Sequence, residues 1–151
     1  MILAIDFDGT CVKHDFPRVG ADIGAVPVLK ALLANGHQLI LWTVRGDVNN
    51  PTTTLPGLVM RSGSYLSDAV QWFKDNDIEL YGINENPEQK TWSKSPKVFA
   101  NLYIDDMAMG APLVFDGIKR AYIDWDVVYK ALVLAGILSG AKGELGDQNN
   151  G

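Results

Sequence analysis

Four aspartates, in two pairs far apart in the sequence, have the types and spacing to do chemistry. Asp6 and Asp8 lie within Asp6-Phe7-Asp8-Gly9-Thr10, and Asp105 and Asp106 are adjacent. In an extended chain the side chains at i and i+2 share one face, so one carboxylate of the first pair can attack while the other transfers a proton. Gly9 lets the backbone turn sharply and bring its amides close to an anion. Carboxylates gathered at one point repel one another unless a cation holds them. Oxygen-only donors without His or Cys suit Mg²⁺ rather than zinc.

The rest of the chain must bring the two pairs together. Apolar runs alternate with helical patterns, as expected of a parallel sheet with crossover helices. Ile2 to Phe7 reads as a central strand buried on both faces. Ile23 to Asn35 reads as a helix, with Pro27 in its first turn and Asn35-Gly36 as its stop. Gln38 to Thr43, Ile78 to Ile83 and Leu102 to Asp105 read as strands. Tyr65 to Asn76 reads as a helix with Ser64 as its N-cap. Ser95-Pro96 reads as a helix entry, and Asp124 as the cap of a last helix, Trp125 to about Ile137. A fifth strand near Arg120 to Ile123 carries a weak signal. Ligands of open α/β sheets bind beyond the carboxyl ends of the strands. There the first strand delivers Asp6 and Asp8, the second Thr43 followed by Arg45, and the fourth Asp105 and Asp106. The connection from Arg45 to Gly63 is far longer than an ordinary βα loop, which points to a functional or mobile segment.

Asp6-Phe7-Asp8-Gly9-Thr10, Thr43 at a strand end, Lys97 after Ser95-Pro96, and Tyr103-Ile-Asp-Asp106 together resemble the four motifs of the haloacid dehalogenase-like (HAD) superfamily. They occur in the family's order, over roughly residues 1–138, and look most like its small capless members from bacterial and phage genomes. The resemblance implies a three-layer α/β/α Rossmann-like core with a mostly parallel five-stranded sheet. It implies a Mg²⁺-dependent phosphomonoester hydrolase in which Asp6 is the nucleophile, forming an aspartyl-phosphate, and also a metal ligand. Asp8 would protonate the leaving oxygen, then activate water, with its backbone carbonyl also on the metal. Thr43 would hydrogen-bond the transferring phosphoryl group and Lys97 would neutralise it. Asp105 would bind Mg²⁺, and Asp106 would bind it directly, through water, or stand behind the ligands. Positioning and charge neutralisation are what phosphoryl transfer chiefly requires. Two alternatives remain: a phosphotransferase or mutase on the same intermediate, and a noncatalytic Mg²⁺/phosphate-binding regulatory protein.

Composition sets the frame. The 151 residues suit one domain. Residues of the apolar AVILMFWYC set are 47% and charged residues 21%, the balance of an ordinary globular protein. A net charge of −5 with no basic run argues against a nucleic-acid partner. No apolar stretch is long enough to cross a membrane and no signal peptide is read, so a cytoplasmic location is expected. The Gly/Asn-rich residues 139–151 are expected to be a disordered tail. Arg45 reads either as a contact to substrate phosphate or as a solvated loop arginine. Cys11 reads as a small buried thiol, while His14 and His37 have no partners at metal-ligand spacing. There is no room for a cap domain, so the site is open. It takes a phosphorylated small molecule, takes a phosphate on a larger one, or borrows a lid from another copy of the chain. Residues 46–63, with Asn49-Asn-Pro-Thr-Thr-Thr, suggest a flexible local lid.

Overall fold

The computed structural model describes residues 1–50, 52–55, 58–118 and 120–140. In chain order the elements are β1 (Ile2–Ile5), α1 (Ala25–Ala34), β2 (Gln38–Leu41), β3 (Thr52–Leu55), β4 (Leu58–Met60), α2 (Tyr65–Asp75), β5 (Gly82–Ile83), β6 (Leu102–Ile104), β7 (Leu113–Val114), β8 (Tyr122–Ile123) and α3 (Trp125–Leu134). The main sheet has four parallel strands in the order β5-β2-β1-β6. Leu3, Ala4 and Ile5 of β1 and Leu39, Ile40 and Leu41 of β2 are all buried. Successive strand residues point to opposite faces, so these strands are covered on both sides. Each such aliphatic side chain contributes about 1.5–3 kcal/mol by leaving water.

The helices form on the faces their patterns set. In α1, Ala25, Val28, Leu29 and Leu32 make the buried stripe at i, i+3, i+4 and i+7. In α3 the Asp124 side chain accepts from the amides of Asp126 and Val127, the cap expected of it. The cap of α2 is not the expected one. Ser64 makes no side-chain cap bond. Instead Asp47 reaches across from the preceding connection and accepts from Leu66 N at 2.8 Å and Ser67 N at 3.0 Å.

Three expectations about elements are corrected. The main sheet has four strands, not five: Tyr122–Ile123 pairs antiparallel with Leu113–Val114, and the Ile123 amide donates to Gly9 O at 2.8 Å. The strand expected over 78–83 is only Gly82–Ile83, because the Ile78 amide closes the end of α2 on Phe73 O. No α-helix follows Ser95-Pro96. Only five residues separate Pro96 from β6, too few for a stable helix. The segment is held by two buried amides: Gln89 donates to the carbonyls of Ser95 and Lys97 and accepts from Phe99 N, and Asn86 donates to Phe99 O.

The long connection is not one open loop. β3 and β4 pair antiparallel within it, and Val48 and Gly63 exchange backbone hydrogen bonds of 2.9 and 3.0 Å at its base. Among the described residues no helix is long and apolar enough to cross a membrane. The expected disordered tail lies, from residue 141 onward, outside the described residues.

Candidate active site

The parallel register of the two central strands builds the site. Ile5 of β1 stands beside Ile104 of β6, and Asp6 N donates to Ile104 O at 3.0 Å, one residue beyond both strands. The ladder therefore delivers Asp6 and Asp105 side by side, with Asp106 next. A carboxylate oxygen from each of the three lies within 4.8 Å of the others. Thr10 ties the group together: its buried hydroxyl donates to Asp6 Oδ2 at 3.0 Å and accepts from Asp106 N at 3.0 Å. Its carbonyl accepts from Trp125 Nε1 at 2.7 Å, so the start of α3 clamps the turn that carries the motif.

Two of these acids, Asp6 and Asp106, are held above the usual carboxylate range. Burial pushes the Asp6 carboxyl up to about 7 from its ordinary 3.8, and the charges of Asp105 and Asp106 push the same way. Hydrogen bonds from the Phe7 amide and the Thr10 hydroxyl oppose the rise. Asp106 is also raised, chiefly by burial, with His14 pulling against it. His14 Nε2 lies 3.1 Å from Asp106 Oδ2. Its sequence position gives no hint of this partner, because the contact spans 92 positions. Gly9 is required where it stands. It has φ +85°, and a Cβ there would collide with the His14 ring and sit 2.7 Å from Asp106 Oδ2.

Asp8 does not join the three. Its two carboxylate oxygens accept from Arg45 Nε at 2.6 Å and Nη2 at 2.7 Å, a fork-to-fork pair. Arg45 is only 3% exposed. Both readings of Arg45 from sequence are therefore corrected: it is neither a solvated loop residue nor turned toward a substrate. The carboxylates brought together are those of Asp6, Asp105 and Asp106; the metal contact expected of Asp8 is through its backbone carbonyl and does not depend on where its side chain points. The Asp8 side chain stands apart from the three because the buried Arg45 guanidinium captures it.

Thr43 lies two residues beyond β2, which ends at Leu41 rather than running to Thr43 as expected. Its amide donates to Asn84 Oδ1 at 2.8 Å, and its hydroxyl accepts from Arg45 N at 3.2 Å. Lys97 is exposed, and its ammonium lies 5.9 Å from the centroid of the Tyr103 ring. Among the described residues it makes no ion pair with Asp6 or Asp105, so the structure does not bring it to the carboxylates. Cys11 is the buried thiol expected, donating to Asp6 O at 3.3 Å. A cavity of about 290 Å³ is lined by Lys13, His14, Gly20, Asp116, Arg120 and Tyr122; none of the three acids is in its wall, and His14 is the lining residue that hydrogen-bonds Asp106. Arg120 Nη2 stands 3.9 Å from Asp106 Oδ2.

No family model matches the chain, and no curated protein matches it. A solved structure of a conserved protein from Bacteroides thetaiotaomicron is 31% identical, covers 98% of both chains and superposes with a TM-score of 0.64.

Proposed function

We propose that this chain, which belongs to the same family as the conserved Bacteroides thetaiotaomicron protein, is a Mg²⁺-dependent phosphomonoester hydrolase that works through an aspartyl-phosphate on Asp6. The observation that carries the reading is the group of Asp6, Asp105 and Asp106 at the carboxyl ends of β1 and β6, with oxygens within 4.8 Å. The donor set suits the ion: three carboxylates, no soft ligand, and a carboxyl held near neutrality that a cation would draw into its charged form. The finer reading of the core as a HAD-type α/β/α sandwich is part of the same proposal.

Bound between these aspartates, Mg²⁺ would supply charge neutralisation for phosphoryl oxygens. The chain's own groups do the rest. An Asp6 oxygen attacks phosphorus, the bond from phosphorus to the ester oxygen breaks, and the departing oxygen takes a proton from Asp8, which enters the step protonated on a lone pair that Arg45 leaves open. In the second step Asp8 takes a proton from water. The water oxygen then attacks the same phosphorus, the bond to Asp6 breaks, and inorganic phosphate leaves. Thr10 holds Asp6 in aim through its 3.0 Å hydrogen bond. Thr43 offers its hydroxyl from two residues beyond β2. Lys97 neutralises the phosphoryl group by swinging its long arm off the Tyr103 ring, and the absence of a carboxylate partner among the described residues leaves it able to do so.

The test is phosphate release from a broad phosphomonoester panel, with Mg²⁺ and with chelator, on the wild type and Asp6→Asn. Turnover that needs Mg²⁺ and vanishes in the variant is expected. Folded wild-type protein that hydrolyses nothing on the panel, or an Asp6→Asn chain that keeps turning over, sinks the reading.

A further inference from the structure

Arg45 is the one buried cation among the described residues, and every donor it owns is matched. Nε and Nη2 hold the two oxygens of Asp8. The second Nη2 proton goes to Arg18 O at 2.8 Å, and Nη1 donates to Pro17 O at 3.3 Å and Tyr65 O at 3.4 Å. A guanidinium has five N–H groups, and here five acceptors meet them. Its central carbon also lies over two rings, 5.1 Å from the centroid of Phe7 and 5.2 Å from that of Phe16. No donor is left for a substrate.

We propose that Arg45 is a positioning residue: it fixes the rotation of the Asp8 carboxylate and the backbone of the short flap after the first motif (Cys11 to Asp22) as one rigid unit, the leaving-group side of the site. The inference rests on the hydrolase reading above. Stability alone is a poor reason to bury such a pair, since an apolar replacement often holds a fold as well. The partners are what single it out. One guanidinium joins the acid–base carboxylate, two successive carbonyls of the flap and the first turn of α2. Each carboxylate oxygen has two lone-pair sites, so the fork occupies one on each and leaves one on each for proton exchange. A carboxylate held this way cannot rotate away from the departing oxygen, and proton transfer depends on that alignment.

The signature is dependence on the leaving group. Benzyl phosphate needs a proton on its departing oxygen, whereas 2,4-dinitrophenyl phosphate releases a stable anion without one. The experiment measures kcat and KM on both substrates for the wild type, Asp8→Asn, Arg45→Met and the double variant. General acid catalysis contributes about 10²–10⁴-fold. Arg45→Met should therefore lose about 100-fold in kcat/KM, which reports the first, leaving-group step, on benzyl phosphate and no more than about 5-fold in kcat/KM on the dinitrophenyl ester. The water step is common to both esters and can lower kcat on either. The double variant should fall no further than Asp8→Asn alone, because Arg45 acts through Asp8. Should Arg45→Met not fold by circular dichroism, the same ratio is read on Arg45→Lys, which keeps the charge but not the fork. Equal losses in kcat/KM on both esters, or losses that multiply in the double variant, overturn the inference while the hydrolase reading stands. A wild type that hydrolyses neither ester with Mg²⁺ overturns both.

Discussion

Asp6→Asn should do more than stop turnover: it should stabilise the metal-free fold above neutral pH. Burial lifts the Asp6 carboxyl to about 7 in the folded chain from an ordinary 3.8. The folded state therefore holds a proton that the unfolded state has lost between about pH 4 and pH 7. Stability falls with pH wherever the native state binds more protons. The contribution is fully present below about pH 4, drains away as pH rises through about 7, and is gone above it. At about 1.36 kcal/mol per pH unit the span is worth about 4 kcal/mol. Water entry and relaxation around a charged carboxylate reduce this to about 1–3 kcal/mol. Asparagine carries no charge and still accepts from the Thr10 hydroxyl. Urea unfolding in chelator from pH 4 to pH 9 should show the variant gaining on the wild type up to about pH 7.5 and then holding a constant lead. The rise in Asp106 acts in both chains and largely cancels in the difference. Mg²⁺ at pH 8 should raise the stability of the wild type far more than that of the variant. A variant less stable than the wild type at pH 8 in chelator, or a difference that ignores pH, refutes the account of this carboxyl.

Thr10→Val keeps the shape but strips a hydrogen bond from Asp6 and leaves the Asp106 amide unpaired. Chemical denaturation in chelator should show a loss of about 1–3 kcal/mol, and an unchanged midpoint would mean that the hydroxyl does not tie the acids together. Lys97→Met should leave stability within about 0.5 kcal/mol, since the side chain is exposed. It should lower kcat about 10²-fold by removing charge from the phosphoryl group; full activity would remove Lys97 from the site. Excising residues 49–62 and rejoining the chain at the Val48–Gly63 pair should leave a folded enzyme with a changed KM or substrate ranking. If both stay the same, residues 46–63 are not a lid.

What the sequence reveals is what neighbouring residues and element ends determine. The motif Asp6-Phe7-Asp8-Gly9-Thr10 follows a short apolar strand, and Asp105-Asp106 follows another. Parallel pairing of those strands is enough to bring Asp6, Asp105 and Asp106 to one point. Asp124 caps α3 as its type and place suggest. The misses are long-range contacts. Ser64 has the right type and position for a cap, yet Asp47 takes the amides of α2 from 19 and 20 residues away. His14 finds Asp106 only through the fold. Asp8 and Asp6 share a face in an extended chain, but a partner 37 residues on decides where the Asp8 side chain points. The helix after Ser95-Pro96 fails for a different reason: the entry signal is present, but β6 starts too soon for a helix to propagate.

Arg45 and Asp47 lie two residues apart at the start of the long connection, and together they separate its two jobs. Arg45 looks inward and is spent on Asp8, the flap and Tyr65 O; Asp47 looks onward and caps α2, its Oδ2 also accepting from the Ser67 hydroxyl at 2.5 Å. Hydrogen bonding to Ser67 and Leu66 holds the Asp47 carboxyl below its usual range, so the cap keeps its charge. The Val48–Gly63 pair then closes the base behind them. Gly63 is confined there, because a Cβ would meet the Tyr65 ring at 2.5 Å. Everything that fixes the Asp8 carboxylate thus lies on the near side of that pair, and the paired strands β3 and β4 lie on the far side. A site built this way can change what it admits by altering β3 and β4 without disturbing the alignment of Asp8. Changes at Arg45 or Asp47 would instead move the chemistry and the support of α2 together.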